Sequence, residues 1–233
     1  MNIALVLSGG TGTRLGADIP KQYIEVEGLP VIAYSLKTMQ ENPGVDAICI
    51  VAACEWEEYL LSVIQKEGIS KFSGFAPAGI SRQHSILNGM LYMEKNGAGT
   101  GDNVLIHDAA RPNLTSALID ECFKAMDSCE GVLPVIPVKD TVYRSVDGSA
   151  ITSLLNRDEL FAGQSPEVFD LKRYLDIIRD LSDDELSAVR GTSEIAYRKG
   201  FKIRLIPGDE SNYKITTAPD LEKFIKQKAG ELR

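Results

Sequence analysis

Short apolar runs alternate along this chain with stretches whose apolar residues recur at helical spacing. Residues 3–7 are followed by 31–39, residues 47–53 by 56–64, and residues 104–107 by 118–126, with 132–137 closing the series. Short continuous apolar runs bounded by polar turns read as strands, and a 3.6-residue period reads as an amphipathic helix. Their alternation predicts an α/β fold, a mostly parallel sheet flanked by helices. ALVL at 4–7 and AICIVAA at 47–53 lack polar alternation, which suits strands covered on both faces.

Between Lys139 and Arg157 the pattern changes. DTVYRSVDGSAITSLLNRD alternates polar and apolar residues about an Asp147-Gly148 turn, a hairpin signal. Such a hairpin either folds back onto the edge of its own sheet or projects as an arm, about residues 138–160, that reaches a second subunit. The last third returns to the alternation, with a strand over 201–207 and a closing helix over 219–228. No repeat, low-complexity tract or linker composition divides the chain, so residues 1–233 are expected to form one domain.

Composition removes several classes of function. The formal charge of −8 is the opposite of the basic face a phosphate-backbone reader carries, so nucleic acid is not an expected partner. No apolar run reaches about 18 residues, and MNIALVLSGG lacks a basic n-region and a small-residue cleavage site. A cytoplasmic protein without membrane contact is expected. Cysteines 49, 54, 122 and 129 form no C-x-x-C pair, and His84 and His107 are far apart, which argues against structural zinc. Cys49, inside an apolar run, reads as a small buried hydrophobe, and His107 as a hydrogen-bonded structural residue rather than a base.

The chemistry starts in the loop after the first apolar run, where an open α/β sheet places its ligand crevice. Gly9, Gly10 and Gly12 let backbone N–H groups approach phosphate oxygens without a Cβ in the way. G-x-x-x-x-G-K-[ST] is absent, and G-x-G-x-x-G fails because Leu15 stands where the third glycine belongs. Arg14 and Lys21 add two cations to this anion loop, suited to offset charge on a triphosphate as pyrophosphate leaves. Asp108 closes a predicted strand, where a carboxylate can hold Mg²⁺ against phosphates. Arg82 and Ser85 share a helix face, opposite the stripe at 86–90, as at a helix N-terminus turned to a ligand.

GGTGTRLG, IPKQY, HDAARP, PVKDT and NYKITT, in that order, resemble the 2-C-methyl-D-erythritol 4-phosphate and ribitol 5-phosphate cytidylyltransferases over almost the whole chain. The resemblance implies a Rossmann-like, GT-A-like nucleotidyltransferase fold, a homodimer with exchanged arms, and CTP and a polyol phosphate as substrates with Mg²⁺. By position it assigns Arg14, Lys21 and Lys214 as catalytic cations. Ser8, Gly9, Gly10, Gly12, Gly79, Arg82, Ser85 and Asp108 fall on the nucleotide, with Asp108 also on the metal. Arg111, Thr141, Arg157 and Thr192 fall on the acceptor, Thr141 and Arg157 from the neighbouring subunit's arm. The chain departs from the family at Ile80, where an acidic residue is common. It departs again at 190–194, RGTSE, where those enzymes carry a Thr-Asp-Glu-Ala or Ser-Asp motif. Counting back from Gly200-Phe201 puts Arg190-Gly191 at that motif, whereas a two-residue shift makes Thr192 the match, and the acceptor stays open between the two polyol phosphates. Two more distant readings accompany it: another nucleoside triphosphate with a sugar 1-phosphate, and a non-catalytic nucleotide-binding regulator.

Overall fold

The computed structural model describes residues 1–10 and 19–231. Among them the chain runs β1 (Asn2–Leu7), the short hairpin β2 (Glu25–Val26) and β3 (Leu29–Pro30), α1 (Val31–Glu41), β4 (Ala47–Ala52), α2 (Glu57–Lys66), β5 (Phe72–Pro77), α3 (Arg82–Lys95), β6 (Asn103–Asp108), α4 (Ser116–Ala125) and β7 (Gly131–Pro137). There follow β8 (Tyr143–Arg144), β9 (Ser153–Leu154), β10 (Phe161–Gly163), β11 (Glu167–Asp170), α5 (Leu171–Arg179), α6 (Asp183–Ala188), α7 (Thr192–Arg198), β12 (Ile203–Pro207) and α8 (Ala218–Lys228).

The central sheet has the order β10-β7-β11-β6-β1-β4-β5, with β12 also paired to β7. β1 pairs in parallel with β4 and β6, β4 with β5, and β12 with β7. β10 and β11 run against the rest. The sheet is thus mixed but mostly parallel, as the alternation predicts. β5 and β11 escape that prediction, since FSGFAP carries glycine, serine and proline and EVFD is four residues long.

Successive residues of a strand point to opposite faces, and here both faces are dry. Ala4 and Val6 pack with Ile48 and Ile50 against α1, α2 and α4, while Leu5, Cys49, Val51 and Ile106 pack against α3, α5 and α7. That two-sided burial is why the strands read as unbroken apolar runs. It also pushes the Cys49 thiol up to about 12, leaving it an inert filler. No helix among the described residues is long and apolar enough to cross a membrane.

The expected hairpin forms as a separate two-stranded sheet, β8 with β9, off the central sheet. Residues 143–159 are exposed throughout. It therefore projects and does not fold back as an edge.

Candidate active site

Parallel strands that end together leave an opening beyond their carboxyl ends. Leu7 at the end of β1 lies beside Asp108 at the end of β6. The loop after β1 and the loop after β5 are pressed against each other there. A Cβ on Gly9 would stand 2.5 Å from the Cβ of Ala78, and one on Gly79 would stand 2.3 Å from the Cβ of His84. Glycine is needed at both positions for close approach. The Ser85 hydroxyl accepts the Gly79 N–H at 3.0 Å and fixes the second loop to the first turn of α3. Ser81 caps that helix. Its N-terminus, which favours negative charge, opens with Arg82 and Ser85 onto a cleft of about 520 Å³ that Gly9, Gly10, Lys21 and Gly79 also line.

Ser8 takes a different place from the one expected. It is buried, and its hydroxyl donates to the Tyr23 hydroxyl at 2.8 Å, so it shapes the loop from behind and does not face the cleft. Gln22 helps it. Its side-chain amide donates to the carbonyls of Ser8 and Gly10 at 2.7 and 2.8 Å, a brace that the sequence signalled only as the residue after Lys21. Gly12 and Arg14 lie outside the described residues.

Asp108 is the electrostatic centre. Its carboxylate accepts from Arg82 Nε at 3.1 Å and from Lys214 Nζ at 3.0 Å, with Arg111 Nε 3.7 Å away. Burial alone would raise its pKa, but Arg82 and Lys214, then Arg111, outweigh that and hold it well below the usual carboxylate range. Lys214 is delivered by a docked segment. The Ile215 N–H donates to the Ala110 carbonyl, and a Thr217–Asp220 capping box starts α8 two residues further on. His107, next to Asp108, is fully buried, and its Nε2 donates to the Arg111 carbonyl at 3.0 Å. Burial lowers its pKa to about 4, so at neutral pH it is an uncharged structural donor, as expected.

A second cleft of about 270 Å³ adjoins the first, and Arg82, Asp108 and Lys214 line both. Arg111, Arg190, Gly191 and Ser193 form part of its far side. Thr192 is not on that surface. It is fully buried, and its hydroxyl accepts from Arg82 while its carbonyl accepts from Tyr174. Arg190, Gly191 and Ser193 thus reach the cleft from either side of Thr192, which supports Arg82 from behind. Sequence reasoning missed Glu167. This buried residue lies 3.7 Å from Arg82 and accepts from the Ser193 N–H at 3.0 Å. An acidic residue opening the apolar VF pair of β11 was the available signal.

Thr141 and Arg157 are elsewhere. They line a cleft on the arm, of about 470 Å³, that shares no lining residue with the central two. Arg157 donates to the Lys139 carbonyl at 3.0 Å. One chain therefore does not bring these two residues to its own central clefts.

The family model of 2-C-methyl-D-erythritol 4-phosphate cytidylyltransferase matches residues 2–225. The chain is 34% identical over 232 residues to the enzyme of that name from Geobacter metallireducens, covering 97% of each. It is 29% identical over 223 residues to the ribitol-5-phosphate cytidylyltransferase of Lactiplantibacillus plantarum, covering 95% of each. In fold it is similar to the 4-diphosphocytidyl-2C-methyl-D-erythritol synthase of Anaerococcus prevotii, with a TM-score of 0.81, 23% identity, and coverage of 99% of this chain and 96% of the other. With a family model spanning nearly all of it and a glycine-lined cleft at the ends of its parallel strands, the chain belongs to the 2-C-methyl-D-erythritol 4-phosphate cytidylyltransferase family of nucleotidyltransferases.

Proposed function

We propose that the protein transfers CMP from CTP to a polyol phosphate, releasing pyrophosphate and giving a CDP-alcohol. The acceptor is 2-C-methyl-D-erythritol 4-phosphate or ribitol 5-phosphate. The observation that carries this is the wall of Arg82, Asp108 and Lys214 common to two adjoining clefts. Two substrates on either side of one charged wall meet where the transfer must occur. The larger cleft suits the nucleotide, with its phosphates near the loop glycines and Lys21, and the smaller suits the acceptor, with Arg111 toward its phosphate.

The attacking group needs no base. A phosphate monoester has its second pKa near ~6 and is mostly dianionic at neutral pH. Uncharged His107, enclosed below Asp108, is not required for proton transfer. An oxygen of the acceptor phosphate attacks the α-phosphorus of CTP in line as the bond to pyrophosphate breaks, and Lys214 and Lys21, with Arg14 by sequence position, balance the charge that develops. Asp108 keeps Lys214 and Arg82 in place at that wall.

Magnesium fits this site as a companion of the nucleotide. A carboxylate has about four lone-pair positions, so Asp108 keeps acceptor capacity beyond its bonds to Arg82 and Lys214. Mg²⁺ commonly uses one or two carboxylates together with substrate phosphates. Among the described residues no group of three or more metal-ligating side chains forms a cage of its own. When bound, the ion would neutralise triphosphate charge.

The arm supports a homodimer with exchanged arms. Tyr143, Val146, Ile151 and Leu154 expose apolar surface on it, and Thr141 and Arg157 line neither central cleft of their own chain. A cytoplasmic setting suits four unpaired cysteines.

The test is pyrophosphate release with each nucleoside triphosphate against both polyol phosphates, glycerol phosphate and a hexose 1-phosphate. The expected result is turnover only with CTP and a polyol phosphate. Turnover with a hexose 1-phosphate and another nucleotide would overturn the reading.

A further inference from the structure

The second cleft is polarised. Arg82, Arg111, Arg190 and Lys214 bring four positive charges to it, against Asp108 and Glu167. Asp108 is engaged on both oxygens by the cations around it. Two further polar side chains there are bonded within the protein. Gln164 exchanges hydrogen bonds with the backbone of Asp209, and the Ser165 hydroxyl accepts the Asp108 N–H. Glu167 is committed on one side only. Its Oε2 takes the Ser193 N–H and hydroxyl, whereas Oε1 faces Arg82 at 3.7 Å, longer than a hydrogen bond. The lone pairs of Oε1 are left for a donor from the cleft.

We infer that Glu167 is a specificity-determining residue that reads the hydroxyl groups of the acceptor, so that the acceptor must be polyhydroxylated beyond its phosphate. The inference rests on the second cleft being the acceptor site. A carboxylate accepts hydrogen bonds and repels phosphate. The acceptor's phosphate therefore lies toward Arg111 and Lys214, and its polyol chain runs toward Glu167 and Ser193. An acceptor without hydroxyls would desolvate Oε1 and give it no donor, a mismatch that polar sites reject strongly. Thr192 and Ser193 then have distinct roles on one turn. Thr192 holds Arg82, and Ser193 fixes the Glu167 carboxylate.

The experiment compares ribitol 5-phosphate, methylerythritol 4-phosphate and hydroxyl-free propyl phosphate as acceptors with CTP. The proteins are wild type, Glu167→Gln and Ser193→Ala, each with its melting temperature measured. Wild type should prefer the better polyol phosphate over propyl phosphate by on the order of 10–100-fold in kcat/KM. Glu167→Gln, which replaces the carboxylate by a weaker amide partner, should lower that ratio several-fold, mainly through the acceptor KM. Ser193→Ala retains the backbone N–H bond and should keep most of the preference. If Glu167→Gln slows all acceptors equally, or if Ser193→Ala collapses the ratio just as far, Glu167 acts only as a brace and the inference fails. If Glu167→Gln does not fold, the wild-type ratio decides, and parity there overturns the inference. Absence of turnover with any polyol phosphate would instead bring down the proposed function, and this inference with it.

Discussion

At the wall between the two clefts Asp108 is 8% exposed and answers three cations, whereas on the arm Val146 is 82% exposed and β8 and β9 share a two-residue ladder. The wall is assembled from the ends of distant elements. β6 gives Asp108, α3 gives Arg82, and the segment before α8 gives Lys214. Its ion pairs all form within one chain. The arm is local in sequence, and its apolar side chains find no cover in the chain that carries them. Exposed apolar surface of this kind marks a contact site, so the difference separates the part of the site that one chain completes from an arm that, in the proposed homodimer, would serve a second chain.

Removing the centre of the wall should have the largest effect. Asp108→Asn leaves Arg82, Lys214 and Arg111 around a neutral amide. It should cost about 2–3 kcal/mol in denaturant unfolding, after allowing for the partial exposure of Arg82 and Lys214. Pyrophosphate release should fall with it. Lys214→Ala should spare the fold more and lower kcat on the order of 10²–10³, as loss of one transition-state donor does. A Lys214→Ala protein with near-normal turnover would remove the wall from the chemistry.

A smaller effect separates the wall's charges from its support. Asp108 has a depressed folded pKa, so its contribution is present above the unfolded value of about 3.9 and is lost only as pH falls through the lower folded value. His107 acts in the same direction, but already in mild acid. Its folded pKa of about 4 lies below the ordinary 6.5, so between them the unfolded chain binds a proton that the native state refuses. Stability should therefore fall by about 2 kcal/mol from pH 7 to pH 5 through this group. His107→Gln should flatten that slope in urea unfolding at the two pH values, and an unchanged slope would place the acid sensitivity elsewhere.

The same contrast explains what could be read from the sequence. β1, β4 and β6 were legible because burial on both faces leaves an unbroken apolar run, and the arm was legible from alternation about Asp147-Gly148. Gly9, Gly79, Arg82, Ser85, Asp108 and Lys214 do meet at one cleft. Ser8 and Thr192, expected at the ligands, are buried with their hydroxyls turned to Tyr23 and Arg82. A hydroxyl turned toward Tyr23 or Arg82 leaves no mark in periodicity. Glu167 escaped notice because β11 is too short for a pattern and runs against its neighbours, so its end of the strand meets the clefts by topology alone.

A hybrid dimer decides whether the wall of one chain is completed by the arm of another. Lys214→Ala and Arg157→Ala chains, carrying different tags, are co-expressed and purified through both tags, and CTP-dependent pyrophosphate release is measured. In the hybrid, the intact wall of the Arg157→Ala chain receives the intact arm of the Lys214→Ala chain, so about half of wild-type activity per dimer is expected. A hybrid no more active than either parent would mean that the arm does not complete the partner's site.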